Sequence, residues 1–458
     1  MFNHKTRDIT AAPPPPLVSG EAPGPGRAGR QCGSTPSLPA SHILPNPPSL
    51  DRGLPNLMAA IGQAFGGGPQ PAAPLPGLAQ RLGEAEAIVL LVADGLGVAQ
   101  LCRHLAGGCL HRACFDIIDS VYPPTTAAAV GTFLTGLPPL GHALTGWTQW
   151  CEEVGETLSI LPLSRRGEGR PAPEAERWAD RILDLPTFAD RLPVPVTHVM
   201  PAWIAHSPFN RRLAGKVAQV PYHGTADLFP AIERALDAAK GRRFVYAYWP
   251  DYDSAAHDHG PDGEGAVAQL KQLEAALEAF VRRRRASQAT LLVTADHGFI
   301  ATSPQRRIDL ADHPDLAACL LRPLTGERRT AYAHVVPERR EFFAATLEAR
   351  LGHALWVVPS ETLVKAGWFG RCEPHPRFAS RIGDFVLLLK EDWSLVDTRP
   401  GDHHPPLLGL HGGSSAAELR IPLCEFPLSS LGHASTRDAF ARPFTPLGSP
   451  DRPSSHNN

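Results

Sequence analysis

The chain of 458 residues is 43% hydrophobic and 20% charged, which is typical of a globular protein with one large domain and some additions. Its formal net charge of −2 provides no bulk field that attracts nucleic acid or an anionic membrane, so we expect neither as a partner. The first residues lack an apolar signal core and no apolar run reaches the roughly 18 residues that span a bilayer, which predicts a cytoplasmic protein without a membrane span.

The chain begins with a segment dense in Pro, Gly and Ser, residues 1–55, which includes APPPPLVSGEAPGPGRAG. Such a composition buries too little apolar surface to offset the entropy lost on ordering. We predict a disordered leader over these residues, and a flexible tail of similar composition over 446–458.

Between these ends, short apolar runs alternate with helical patterns. The runs are typical of strands buried on both faces: AIVLLVAD (87–94), PVTHVMP (195–201), RFVYAYWPD (243–251) and ATLLVTAD (289–296). Helical patterns follow at 227–240 and 264–285. This alternation predicts an α/β fold with a mostly parallel central sheet flanked by helices. We expect the catalytic core to cover 80–314 and 401–445, with a small α+β cap inserted over 315–400 and an irregular insertion near 148–190.

Three of the apolar runs end in acidic residues. Asp94 ends the first, Asp253 closely follows the third, and Asp296 with His297 ends the fourth. Because ligands bind at the carboxyl edge of open α/β sheets, these side chains should converge on one crevice. For each aspartate alone, a role as turn former or helix cap is the simpler interpretation.

Carboxylates and neutral imidazoles are the ligands that zinc and similar divalent ions prefer. Asp253 and His257 are four residues apart, so one face of a helical turn would carry both. The late segment GDHHPPLLGLHGG offers three more histidines, His403, His404 and His411. The sequence therefore predicts two incomplete metal sites and a late histidine that completes one of them.

The order of motifs resembles the alkaline phosphatase superfamily, and within it the type I phosphodiesterase/nucleotide pyrophosphatase-like family. The resemblance extends from about residue 85 to 425 through LLVADGLG, YPPTTAAAVGTFLTG, YWPDYDSAAHDHGP, LLVTADHGF and GLHGG. It implies an alkaline phosphatase-like fold and two divalent ions, expected to be zinc. The implied ligands of one ion are Asp253, His257 and His411, and those of the other are Asp94, Asp296, His297 and a threonine.

Two adjacent hydroxyls, Thr125 and Thr126, precede a helix-like stretch. The simple interpretation is helix capping. In the family the nucleophile lies nine residues before the threonine of a TG pair, and counting back from Thr135 gives Thr126. The resemblance thus implies that Thr126 is the nucleophile, that a phosphothreonine intermediate forms, and that Thr125 is its neighbour and caps the helix.

The sequence departs from the family at two positions. Ala127 follows the implied nucleophile where nucleotide-cleaving relatives carry an aromatic residue, and Trp147 stands where they carry an asparagine that donates to a phosphoryl oxygen. Gln149 or a backbone N–H is a substitute donor for that asparagine. Among the three late histidines, the HGG context favours His411 as the ligand.

The leading function is hydrolysis of phosphodiester or pyrophosphate-type bonds of a small-molecule substrate. No Arg or Lys is near Thr126 in the sequence, which favours diesters because a monoester carries additional charge. Hydrolysis of a phosphate monoester or phosphonate is the alternative, and an inactive metal-binding relative is a further one. The sequence decides neither the substrate nor the oligomeric state.

Overall fold

A computed structural model of the protein describes residues 44–45, 47–284, 287–399 and 406–428. Most of the predicted leader, residues 1–43 and 46, lies outside the described residues, as does the predicted tail. The last two positions of the predicted leader already belong to a helix, α1, which begins at Leu54.

The α-helices of the described residues are α1 (Leu54–Ala64), α2 (Leu78–Leu82), α3 (Val98–His104), α4 (Cys109–Ala113), α5 (Thr126–Thr135), α6 (Pro139–His142), α7 (Ala175–Ile182), α8 (Ala202–Ala205), α9 (Pro208–Ala214), α10 (Gly224–Asp237), α11 (Asp251–His259), α12 (Glu264–Arg283), α13 (Pro314–Ala317), α14 (Arg340–Leu351), α15 (Ser360–Lys365), α16 (Phe378–Ile382) and α17 (Ala416–Leu419).

The strands are β1 (Ala87–Ala93), β2 (Cys114–Asp119), β3 (Thr148–Cys151), β4 (Glu156–Ser159), β5 (Ser164–Arg165), β6 (Val196–Pro201), β7 (Ala218–Tyr222), β8 (Arg243–Trp249), β9 (Ala289–Thr294), β10 (Ile300–Ala301), β11 (Arg307–Asp309), β12 (Thr325–Gly326), β13 (Thr330–Ala333), β14 (Leu355–Pro359), β15 (Phe385–Leu389), β16 (Ser394–Val396), β17 (Gly409–Leu410) and β18 (Arg420–Pro427). The four predicted strands correspond to β1, β6, β8 and β9, and the two predicted helices to α10 and α12.

The first sheet has seven strands in the order β2-β18-β9-β1-β8-β6-β7. The strands β9, β1, β8, β6 and β7 are parallel, and β18 is antiparallel to both of its neighbours. Every residue of β1 and β9 is buried, because helices cover both faces of the sheet. The predicted α/β fold with a mostly parallel sheet is confirmed.

A second sheet joins the two segments that interrupt the core. Its order is β14-β15-β13-β12-β3-β4-β5, so strands from the predicted insertion near 148–190 and from the predicted cap pair with one another. The junction is the antiparallel contact between Gly326 and Thr148. Pairing between strands so far apart in the sequence leaves no local pattern. The sequence therefore predicted an insertion near 148–190 and a cap over 315–400 as two separate units.

Two contacts join segments that are distant in the sequence near the carboxyl edge of β1 and β9. β10 pairs with β17, which places the segment after β9 beside the segment that ends in His411. On the other side, Arg329 of the second sheet forms a fully buried pair with Glu418 of α17, with Nε to Oε1 at 3.1 Å and Nη2 to Oε2 at 3.2 Å. This buried pair connects the turn between β12 and β13 of the second sheet to the segment that leads into β18 of the first.

Candidate metal centre

The side chains of three aspartates converge at the carboxyl edge of the first sheet. Asp94 follows β1, Asp296 follows β9, and Asp253 lies in the first turn of α11, directly after β8. Neighbouring donors orient two of them. The backbone N–H of Gly95 donates to Asp296 Oδ1 at 3.0 Å, and the Tyr248 hydroxyl donates to Asp94 Oδ2.

Each aspartate keeps one oxygen without a hydrogen bond among the described residues. These buried atoms are Asp94 Oδ1, Asp253 Oδ1 and Asp296 Oδ2. His297 Nε2 lies 3.3 Å from the first, 3.9 Å from the second and 3.4 Å from the third, so all three oxygens face one imidazole nitrogen. Buried carboxylate oxygens without donors are costly unless a cation neutralises them.

The three histidines of the site share one orientation. In each, Nδ1 lies within hydrogen-bond distance of a backbone carbonyl: His257 to Gly409 at 2.9 Å, His297 to Gly298 at 3.1 Å and His411 to Pro124 at 3.2 Å. A carbonyl only accepts, so Nδ1 carries the proton and Nε2 keeps its lone pair. Nε2 of all three points toward the aspartates, which is the tautomer of a metal-ligating histidine.

The electrostatics of the cluster also fit a cation. Burial raises the pKa of Asp94 well above its usual range, and the charges of Asp253 and Asp296 raise it further. Burial also lowers the pKa of His411, and the neighbouring His297 and His257 reinforce this shift. Carboxylates and neutral imidazoles packed together out of water form a donor set that a bound cation would stabilise.

The structure brings all six predicted protein ligands together. Ligand atoms within 4.8 Å of one another form two sets among the described residues: Asp94, Asp296 and His297 in one, and Asp253, His297 and His411 in the other. His257 adjoins the second set, with Nε2 3.5 Å from Asp253 Oδ1. His297 is thus common to both sets, whereas the resemblance implied it for one. His403 and His404 lie outside the described residues.

The two threonines differ in what they contact. Thr126 is the first residue of α5, and its Oγ1 lies 3.2 Å from His297 Nε2, at the metal centre. Thr125 holds the N-cap position, but its hydroxyl forms no capping hydrogen bond. It donates to Glu327 Oε1 at 2.6 Å instead. The expectation that the Thr125 side chain caps the helix is wrong, because a side chain of the second sheet competes for its hydroxyl.

A cavity of about 480 Å³ opens beside Thr126. On one side it is lined by residues of the metal centre, including Asp253, His257 and His411. On the other side it is lined by residues of the two insertions, among them Trp147, Arg166, Leu324, Glu327, Arg328 and Asp397. Sequence reasoning missed all of these second-sheet residues except Trp147, because nothing in the sequence places them opposite Thr126.

Two expectations about this cavity need correction. Gln149 does not substitute as a phosphoryl donor: it is fully buried, and its donor atom, Nε2, donates to Cys151 Sγ at 3.6 Å. Basic residues absent near Thr126 in the sequence are present in space, since Arg166 and Arg328 line the same cavity. Ala127 is fully buried and offers no surface for stacking.

Comparison with known protein families is consistent with this geometry. The family model of type I phosphodiesterase / nucleotide pyrophosphatase matches residues 88–414. The chain belongs to this family. The match begins in β1 and ends just after His411, so it includes every residue of the candidate centre. Members of the family are metal-dependent, in agreement with the ligand cluster.

The most similar proteins in these comparisons are distant. Human ectonucleotide pyrophosphatase/phosphodiesterase family member 5 is 23% identical over 173 residues, which cover 37% of this chain and a third (33%) of that protein. The solved murine family member 5 has a TM-score of 0.52 at 17% identity, over 73% of this chain and 87% of the other. Phosphonoacetate hydrolase from Sinorhizobium meliloti has a TM-score of 0.51 at 18% identity, over 75% and 90%. At these identities the structural likeness shows the shared fold.

Within the part of the chain that the structure describes, none of the helices of this phosphodiesterase-family protein has the length and apolar character needed to cross a bilayer.

Proposed function

We propose that the protein hydrolyses phosphodiester or pyrophosphate-type bonds of a small-molecule substrate through a covalent intermediate on Thr126. The observation that carries this proposal is the convergence of Thr126 with two sets of side chains that could hold a metal ion, of which Asp253 and His411 line the same cavity as Thr126. Membership of the family supports the reaction class.

Two divalent ions, which we take to be zinc, would be held by Asp94, Asp296 and His297 with Thr126, and by Asp253, His257 and His411. When bound, such ions lower the pKa of a coordinated oxygen and neutralise charge that develops on phosphorus-bound oxygens. The unpartnered oxygens of the aspartates and the unprotonated Nε2 atoms of the histidines provide the donors for this role.

The chain itself positions the nucleophile. Thr126 lies at the start of α5, so its Oγ1 is fixed by the helix and held beside His297 Nε2 at 3.2 Å. Backbone N–H groups of the first turn face the space in front of it, where a phosphoryl oxygen would be stabilised by the helix dipole. The adjacent Ala127 and Ala128 are small and fully buried, so they leave this approach open.

The reaction we propose has two displacements at phosphorus. In the first, Thr126 Oγ1 forms a bond to phosphorus while the bond from phosphorus to the leaving oxygen breaks, and the proton of the threonine hydroxyl ends on the leaving group. In the second, a water oxygen forms a bond to phosphorus and the bond to Thr126 Oγ1 breaks, while one proton of the water passes to Oγ1 and regenerates the threonine hydroxyl.

The alternative is a substrate with a second anionic group, such as a phosphonate or a phosphate monoester. Arg166 and Arg328 on the opposite side of the cavity favour an additional negative charge somewhere on the substrate. The likeness to phosphonoacetate hydrolase concerns the fold. The cytoplasmic location remains a prediction from the sequence.

The test compares Thr126→Ala with Thr126→Ser on a panel of chromogenic diesters, monoesters and phosphonoacetate, with bound metal measured by mass spectrometry. We expect Thr126→Ala to lose at least about a thousandfold in turnover while it keeps its metal, and Thr126→Ser to keep much of the activity. Thr362→Ala, in the first turns of α15 and away from the cavity lining, is the matched control.

Trapping the intermediate provides a second readout. Acid-quenched enzyme should carry the substrate's phosphoryl group on the peptide that contains Thr126, and no adduct should form in Thr126→Ala. Full turnover by a metal-loaded Thr126→Ala variant would show that the proposed nucleophile is wrong.

A further inference from the structure

Glu327 lines the cavity and contacts Thr125 and Gly412, which are adjacent in the sequence to Thr126 and His411. Its Oε1 accepts from the hydroxyl of Thr125, the residue before Thr126, at 2.6 Å. Its stem packs against Gly412, the residue after His411: a Cβ added at Gly412 would lie 2.8 Å from Glu327 Cγ. The carboxylate is therefore fixed close to the proposed nucleophile and to the metal centre.

The backbone that carries Glu327 is well anchored. Glu327 N–H donates to the carbonyl of Thr330 at 2.7 Å, which closes the turn between β12 and β13. Two residues later, Arg329 forms the buried pair with Glu418. A side chain held in this way keeps its place when a substrate enters, so its charge acts at a fixed distance.

The hydrogen bonds of Glu327 are those of an acceptor. Its Oε1 also accepts from the backbone N–H of Trp147 at 2.5 Å, so both bonds to Oε1 come from donors. Oε2 accepts no hydrogen bond from the described residues, and Glu327 lines the cavity. Burial raises the pKa of Glu327, and the hydrogen bonds from Thr125 and Trp147 oppose that shift. In its ionised form, the side chain offers no proton to the oxygens of a phosphoryl group and repels their charge.

Of the two basic residues that line the cavity, Arg166 is held by backbone carbonyls. Arg166 donates to the carbonyl oxygens of Leu324 at 3.0 Å and Asp397 at 2.6 Å, which holds its guanidinium on the second-sheet side. Burial lowers the pKa of Arg328, although the neighbouring Glu327 opposes that shift.

We propose that Glu327 is a specificity-determining residue that disfavours substrates with two negative charges on the reacting phosphoryl group, and so selects diesters over phosphate monoesters. This inference rests on the proposed hydrolase function. A diester carries one charge on its reacting group, whereas a monoester carries two above about pH 6. Because the second charge meets a fixed carboxylate in a partly dry cavity, its repulsion is weakly screened.

The test separates charge from size with two substrates that share a leaving group. p-Nitrophenyl phosphate is a dianion at about pH 8, and p-nitrophenyl methylphosphonate is a monoanion of nearly the same shape. We expect the wild-type protein to prefer the monoanion, and Glu327→Gln to raise kcat/KM for the dianion relative to the monoanion by about tenfold or more. Glu327→Ala should shift the ratio in the same direction.

The matched control is Glu338→Gln, which removes the same charge from an exposed position outside the cavity lining and should leave the ratio unchanged. Equal losses on both substrates in Glu327→Gln and Glu327→Ala, with normal thermal unfolding, would mean that Glu327 is only structural and would overturn the inference. If the metal-loaded wild-type protein hydrolyses none of the diesters or monoesters, the proposed function itself is wrong. Diester hydrolysis with an unchanged ratio in both variants refutes only the role of Glu327.

Discussion

The cavity has a floor and a wall of different origin. The floor comes from segments at the carboxyl edge of the first sheet. Its lining residues are Thr126, Asp253, His257 and His411, and the buried Asp94, Asp296 and His297 adjoin them. The wall comes from the two insertions and consists of Trp147, Arg166, Leu324, Glu327 and Arg328. The floor contains a set of ligands for cations, whereas the wall contains an aromatic ring and charges of both signs. This contrast suggests that the floor determines the chemistry and the wall the choice of substrate.

Removal of metal tests most directly whether the floor determines the chemistry. A chelator should abolish turnover and lower the midpoint of thermal unfolding, because Asp94, Asp253 and Asp296 are left facing each other without a cation. Zinc added back should restore both properties. Calorimetry and turnover of a diester, measured on the same samples, provide the two readouts.

A variant of a wall residue is the control for the chelation experiment. Glu327→Gln should lose the same amount of stability on chelation as the wild-type protein, since Glu327 belongs to neither ligand set. Undiminished turnover after complete removal of metal would contradict the assignment of the chemistry to the floor.

The next effect in size concerns the last ligand of the floor. His411→Ala should weaken metal binding by about a hundredfold, because its Nε2 faces Asp253 Oδ1 at 3.7 Å with Nδ1 held by Pro124. His404→Ala should leave binding unchanged, in keeping with the preference for His411 in the sequence. Titration with a competing zinc chelator measures both affinities. If His404→Ala weakened metal binding and His411→Ala did not, the choice of His411 as the ligand would be wrong.

The floor was predictable from the sequence and most of the wall was not. Asp94 directly follows β1 and Asp296 lies two residues after β9, and both strands are buried throughout. Asp253 and His257 share one helical turn, so local patterns indicated all four residues. Glu327 has no such pattern, since its position depends on the pairing of Gly326 with Thr148 across almost 180 residues. The hydroxyl of Thr125 illustrates the same limit: a cap is a local expectation, and a distant carboxylate overrode it.

A third prediction concerns the support beneath the floor. His142 is fully buried, with Nε2 3.1 Å from the hydroxyl of Thr132 in α5, the helix that presents Thr126, and Nδ1 accepting from Leu144 N–H. Burial, reinforced by the charges of Arg381 and His375, lowers the pKa of His142 to about 3. The folded state therefore requires neutral His142.

The sign of the pH effect follows from this depressed pKa. The stabilisation is complete above the unfolded pKa of about 6.5 and is lost as the pH falls toward the folded value. As the pH falls from about 6.5 to 5, the free energy of unfolding should decrease by about 2 kcal/mol because of His142. Urea unfolding at both pH values should show a smaller pH dependence for His142→Gln than for the wild-type protein, and equal dependences would contradict the prediction.

The smallest effect concerns the wall. Ala127, next to Thr126, provides no aromatic ring on which a substrate could stack. Trp147 does provide one, since its side chain lines the cavity and is 46% exposed. If this indole packs against part of the substrate, Trp147→Ala should raise KM about fivefold for diesters with aromatic leaving groups and much less for methyl esters. The backbone N–H that holds Glu327 is kept in the variant, so the preference between dianion and monoanion should not change.

Trp203→Ala is the matched control, because Trp203 is 76% exposed on α8 and is absent from the cavity lining. A fall in kcat equal for all substrates would instead connect Trp147 with the chemistry of the floor. The separation of KM for aromatic esters from the charge preference distinguishes the two contributions of the wall, one made by the Trp147 ring and the other by the carboxylate that its backbone holds.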